Sequence, residues 1–158
     1  MTTTIEAATM TVTLQESISL NGYEQGAKNT HTIASIAEVS KRIVTVTTTE
    51  ATVATFSAAI AAGNYIAANV RYIRFTNKDD TNFITLTFRN QDNDEVAVKL
   101  DYGQSMILNG DNSNGMTAVM NATQDADAAS SANFGSLTNI QADADTASCD
   151  LEMFIASV

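Results

Sequence analysis

The chain has no proline, no tryptophan, one cysteine and one histidine in 158 residues. A single cysteine excludes an intramolecular disulfide framework and any zinc site built from several thiolates. Cys149 stands in Ser148-Cys149-Asp150-Leu151-Glu152-Met153, where alternation aligns it with Leu151, Met153 and Ile155. A buried, inert thiol is therefore expected. His31 has only Ser and Thr near it in sequence, and nothing matches the G-x-S-x-G turn of a hydrolase nucleophile. Without a nucleophile, base and orienting group, no catalytic residue and no enzyme is predicted. Absence of tryptophan and a 6% aromatic content weigh against a sugar-stacking surface. Absence of proline removes one boundary signal for a second domain, and no segment repeats at a fixed period.

Positive charge is also scarce. Eight Lys+Arg stand against 18 Asp+Glu, a net charge of -10. Such a chain does not hold phosphate backbones by neutralising them and is repelled by anionic membrane surfaces, so neither nucleic acid nor membrane is an expected partner. It remains compatible with docking on a basic protein face. The start, Met1-Thr2-Thr3-Thr4-Ile5-Glu6, lacks a basic region followed by an apolar one, and no apolar run reaches membrane-spanning length. Synthesis in a cytoplasm without Sec export is the expectation.

What is abundant is short-period alternation. Met10, Val12 and Leu14 alternate with Thr9, Thr11 and Thr13, and Ile18 and Leu20 continue the same face, which predicts a strand with a hydroxyl-rich side. Met1 to Ala8 reads as a flexible arm. Asn21-Gly22 and Gln25-Gly26 predict a turn or loop reaching His31. Lys41 to Thr49 is β-branched and predicts a strand. Ala51 to Ala62 reads as a strand followed by at most two helical turns, with Gly63-Asn64 closing it.

Val70-Arg71-Tyr72-Ile73-Arg74-Phe75-Thr76-Asn77 has apolar groups on both faces, as in an inner strand or one facing a neighbouring subunit. Ile84, Leu86 and Phe88, then Val96, Val98 and Leu100, flank Asn90-Gln91-Asp92-Asn93-Asp94 as a hairpin. Further strands are expected at Ser105 to Leu108, Met116 to Ala122, Leu137 to Ala142 and Cys149 to Val158, with Asp125 to Gly135 as a loop. Together these predict an all-β protein, a single antiparallel sandwich of jelly-roll type over residues 9–158. Its core is expected to hold Ile84, Leu86, Phe88, Val96, Val98, Leu100, Leu151, Met153 and Ile155.

Two acidic loops resemble oxygen-ligand sites for Ca²⁺, one around Asp92, Asp94 and Glu95 and one over Asp111, Asn112, Ser113 and Asn114. Neither has the glycine and glutamate spacing of an EF-hand, and turn chemistry explains both, so no metal and no cofactor is predicted. Arg71 and Arg74 beside Tyr72 and Phe75 suggest a stacking platform, but the acidic surroundings favour carboxylate pairing inside the protein or across a subunit interface. Arg71, Tyr72, Arg74 and Phe75 are therefore the predicted subunit-interface residues.

The run Val70 to Asn77, followed by Ile84-Thr85-Leu86-Thr87-Phe88, Val98-Lys99-Leu100-Asp101-Tyr102-Gly103-Gln104-Ser105 and the ending Asp150-Leu151-Glu152-Met153-Phe154-Ile155-Ala156-Ser157, resembles small β-sandwich structural proteins of tailed bacteriophages, especially marine ones. The likeness covers the C-terminal three-fifths of the chain. It implies a virion component, decorating the capsid or attached to the tail, with no catalytic residues to transfer. Other virion proteins and copies of the same chain would be the partners, a trimer being the first homo-oligomer to consider. The alternative is a host-receptor or carbohydrate-binding module of a spike or adhesin, with the loops after Asn77, Asn90 and Asn109 as its binding tip.

Overall fold

The computed structural model describes residues 5–117 and 136–158. The expected loop from Asp125 to Gly135 lies outside them, as do the expected strand from residue 118 onward and the first four residues of the expected arm. Contacts divide the chain into two compact units, Met1–Glu38 with Val158, and Val39–Ser157. The residue range expected for the sandwich, 9–158, takes in parts of both units.

The first unit is a long β-ribbon. Strand β1 (Ala8–Glu16) pairs antiparallel with β4 (Ala27–Ile36), and between them β2 (Ser19–Leu20) and β3 (Tyr23–Glu24) form a small terminal hairpin. The segment from Ala27 to His31, expected as loop, is thus strand. Its Thr30 and Thr32 face Thr13 and Thr11, so a β-branched partner row overrides the local turn signals. Met10, Val12 and Leu14 lie opposite Ile33, His31 and Asn29 on the other face. The register slips where Ala8 meets Ile36 and Met10 meets Ile33, and Ser35 takes a left-handed φ of 62° there, the mark of a β-bulge.

The second unit is the sandwich. Its strands are β5 (Glu38–Val46), β6 (Ala51–Ser57), β7 (Tyr65–Ile66), β8 (Val70–Asn77), β9 (Ile84–Asn90), β10 (Glu95–Leu100), β11 (Ser105–Asn109), β12 (Leu137–Ala144) and β13 (Cys149–Ser157). One sheet has the order β11-β8-β13-β5 and the other β10-β9-β12-β6-β7. β8 is an inner strand, flanked by β11 and β13. Between the sheets lie Ile73, Phe75, Ile84, Leu86, Phe88, Ile140, Leu151, Met153 and Ile155, all under 2% exposed. Phe75 of one sheet meets Phe88 of the other edge-on, with ring centroids 6.5 Å apart. Burying each such side chain stabilises the fold by about 1.5–3 kcal/mol.

The hairpin β9–β10 forms in the expected register, with Val96, Val98 and Leu100 opposite Phe88, Leu86 and Ile84. Val96 departs from the expected core: it is 41% exposed. Among the described residues β10 is the sheet's edge strand, bonded to β9 alone, and the start of such a strand is poorly covered. The described residues contain no helix, so the turns expected before Ala62 do not form. Asn64 takes over the polar groups a helix would use. Its Oδ1 accepts from the Ala61 N–H at 2.6 Å and its Nδ2 donates to the Ala59 carbonyl at 2.9 Å and to Ser57 Oγ. Side-chain competition of this kind defeats a run too short to nucleate a helix.

Candidate interaction surfaces

The four predicted interface residues sit on or beside one strand, β8, and part ways because a strand has two faces. Phe75 points inward, is fully buried and serves the core, so it is not available to a neighbour. Arg71 lies at a bulge, where Ala156 pairs with Tyr72 and Ser157 with Val70, and its Nη1 donates to the Ala68 carbonyl at 2.6 Å. Tyr72 and Arg74 point to the outer face of the four-stranded sheet. Tyr72 is already covered within its own chain, 5% exposed and edge-on to Phe154 at 6.0 Å. Burial pushes its phenol pKa up, partly offset by the Arg74 cation.

Arg74 makes the charge cluster of this face. Its Nη2 lies 2.6 Å from Glu152 Oε1, Nη1 bonds Thr76 Oγ1, and Lys41 of β5 approaches Glu152 Oε2 at 3.5 Å. The hydrogen bond from Arg74, aided by both cations, holds the Glu152 carboxyl below its ordinary range. Thr45 Oγ1 donates to Asp150 Oδ1 at 3.0 Å farther along the same pair of strands. The expected pairing of arginine with a carboxylate therefore occurs inside the chain.

Exposed apolar surface collects elsewhere. Ile5, Leu14, Ile18, Leu20, Tyr23, Val39 and Ile43 are large, apolar and exposed, and all precede Thr45; beyond it only Ile60, Val96 and Tyr102 among the described residues are in that state. The terminal hairpin of the ribbon holds three of them. Asn21 and Gly22 both have positive φ, 52° and 82°, which makes the two-residue turn a type I′ matched to strand twist. Leu20 then pairs with Tyr23, which is 73% exposed.

This tip is fixed from below. Glu24 Oε1 accepts from the N–H of Gly26 at 2.9 Å and of Ile18 at 3.2 Å, and the Gln25 N–H reaches the Ile18 carbonyl at 2.8 Å. A side chain at Gly26 would run into the Glu16 carbonyl and the Glu24 carboxylate. The tip is thus a braced apolar knob, and the sequence reading did not single it out. Asn-Gly between Ile18, Leu20 and Tyr23 is the signal that marks it.

The remaining candidates resolve into structure. Asp111 Oδ1 accepts from the N–H groups of Ser113 and Asn114, both at 2.8 Å, which holds that carboxyl below its usual range. Asn90 Oδ1 accepts from the N–H groups of Asp92 and Asp94 at 2.9 and 2.8 Å. Both loops use their polar atoms as turns do. Among the described residues no three His, Cys, Asp or Glu side chains converge as metal ligands. Cys149 is 1% exposed and burial raises its thiol pKa, as an inert core thiol requires. His31 is exposed on β4 opposite Val12. No family model, no curated protein and no solved structure matches the chain.

Proposed function

We propose that this protein is a non-enzymatic virion subunit of a tailed bacteriophage, decorating the capsid or attached to the tail, and that it works through surface contacts with other virion proteins. The observation that carries this reading is the concentration of exposed apolar side chains in the first 43 residues, above all Ile18, Leu20 and Tyr23 on the braced tip. An exposed apolar cluster on an otherwise strongly acidic protein marks a protein-contact site. The virion assignment rests on the strand pattern from Val70 onward.

The jelly-roll wiring belongs to the same proposal. Counting the eight longer sandwich strands along the chain, one sheet takes the first, eighth, third and sixth and the other the second, seventh, fourth and fifth. That interleaving is the order generated by two interlocked Greek keys.

The test is co-sedimentation with particles lacking the protein. Leu20→Asp combined with Tyr23→Asp is expected to lower occupancy at least tenfold while leaving the sandwich's melting temperature unchanged. Equal occupancy of wild type and double variant would overturn the role given to the tip, and no occupancy by wild type would overturn the virion reading.

A further inference from the structure

Within the ribbon, the two outer edges differ. Strand β4 carries Lys28 and the left-handed bulge residue Ser35, both devices that blunt an open edge. Strand β1 carries neither. From Ala8 to Gln15 it has no charged side chain and no glycine, and among the described residues it pairs with β4 alone. In a chain of net charge -10, this strand, whose single charge is Glu16 at its very end, is where another acidic copy approaches with least repulsion.

From this we infer that β1 is a self-pairing edge: two copies of the chain join β1 to β1, antiparallel, about a twofold axis through Val12. This sharpens the assembly role proposed above by naming one contact and its occupant. The sequence of β1 is complementary to itself in that register. Val12 meets the partner's Val12, Met10 meets the partner's Leu14, Thr11 meets the partner's Thr13, and Glu16 meets the partner's Ala8, so no like charges are opposed. Every apolar residue stays on one face and every threonine on the other, as a register centred on a residue requires. A continuous four-stranded sheet results, β4-β1-β1-β4, in which Met10, Val12, Leu14 and Ile33 of each copy share a face. A two-stranded ribbon is marginal by itself, and three or more strands with an apolar face are not. The contact is isologous and closes at two copies.

The register makes the test specific, and the only native cysteine is buried. Full-length Val12→Cys is expected to cross-link to a covalent dimer under mild oxidation. Leu14→Cys alone is expected not to, because the two Leu14 positions stand four residues apart along the antiparallel pair, about 14 Å, beyond the roughly 7 Å a disulfide spans. A mixture of Met10→Cys and Leu14→Cys should cross-link again. In sedimentation velocity, Val12→Lys and Val12→Glu should each weaken self-association at least tenfold, and mixing them should restore it. Cross-linking of Leu14→Cys as readily as Val12→Cys, or no dimer from Val12→Cys or the charge-swapped mixture, overturns the self-pairing. If particles still take up protein that gives no dimer, the virion reading stands and this contact falls.

Discussion

Strands β1 and β9 have nearly the same pattern and opposite fates. β1 reads Thr-Met-Thr-Val-Thr-Leu over residues 9–14 and β9 reads Ile-Thr-Leu-Thr-Phe over residues 84–88, each placing threonine on one face and apolar groups on the other. In β9 the apolar row is Ile84, Leu86 and Phe88, at most 1% exposed; in β1 the row runs from half-buried Met10 and Val12 to Leu14, 48% exposed. Alternation fixes which side chains share a face and says nothing about what covers that face. In the sandwich a second sheet of the same chain provides the cover. For the ribbon, the proposed cover is another virion protein, since pairing β1 to β1 widens this face without covering it.

The largest effect should come from breaking the covered row. Phe88 contacts Phe75 across the two sheets, and truncation to alanine removes a fully buried ring. Phe88→Ala is expected to cost about 3–5 kcal/mol of unfolding free energy, measured by denaturant titration. Leu14→Ser in the ribbon, assayed in dilute protein, should stay within about 0.5 kcal/mol of wild type. Comparable losses at the two sites would erase the contrast between a self-covered and a partner-covered face.

A middle-sized effect separates the sandwich's loops from the ribbon's tip. β8 and β9 each end in a buried asparagine, Asn77 at 0% and Asn90 at 1% exposure. Asn77 Nδ2 donates to the carbonyls of Asn82 at 2.9 Å and Leu100 at 3.2 Å, and its Oδ1 accepts from the Asp79 N–H at 3.0 Å. One side chain thereby ties the loop after β8 to the end of β10. Asn77→Ala leaves these groups unpaired, for an expected cost of roughly 1–3 kcal/mol. The melting temperature should fall accordingly; a fall below that of Phe88→Ala would place more of the fold's stability in this junction than in the core.

Much of the sandwich was legible beforehand because its strands obey local rules. The β9–β10 hairpin, the inner position of β8 and the buried Cys149 all follow from period-two alternation and turn residues. What was not legible depended on neighbours distant in sequence. Val96 fits the core pattern, but its strand lies at an edge. Phe75 and Tyr72 looked like surplus apolar groups, and the opposite sheet and Phe154 account for them. Ala27 to His31 has loop composition, and only pairing with β1 makes it strand. The Glu24 brace under the tip likewise depends on folded geometry, since it ties Ile18 to Gly26 across a hairpin.

The smallest expected effect is electrostatic and belongs to the sandwich's outer face. Glu152 has 14% of its side chain exposed and Arg74 has 28%, so the pair is only partly shielded from solvent and its contribution is modest, about 1 kcal/mol or less. Its sign with pH is definite. The Arg74 hydrogen bond and the nearby cations hold the folded carboxyl below the ordinary glutamate value of about 4.3. Stability from this group is therefore fully present above that ordinary value and is lost as pH falls through the lower, folded one. Glu152→Gln keeps an acceptor for Arg74 but removes the charge. The variant should melt slightly below wild type at neutral pH, and the gap should close on acidification below about pH 4. A gap that does not change with pH would mean that Glu152 acts here through packing and not through its charge.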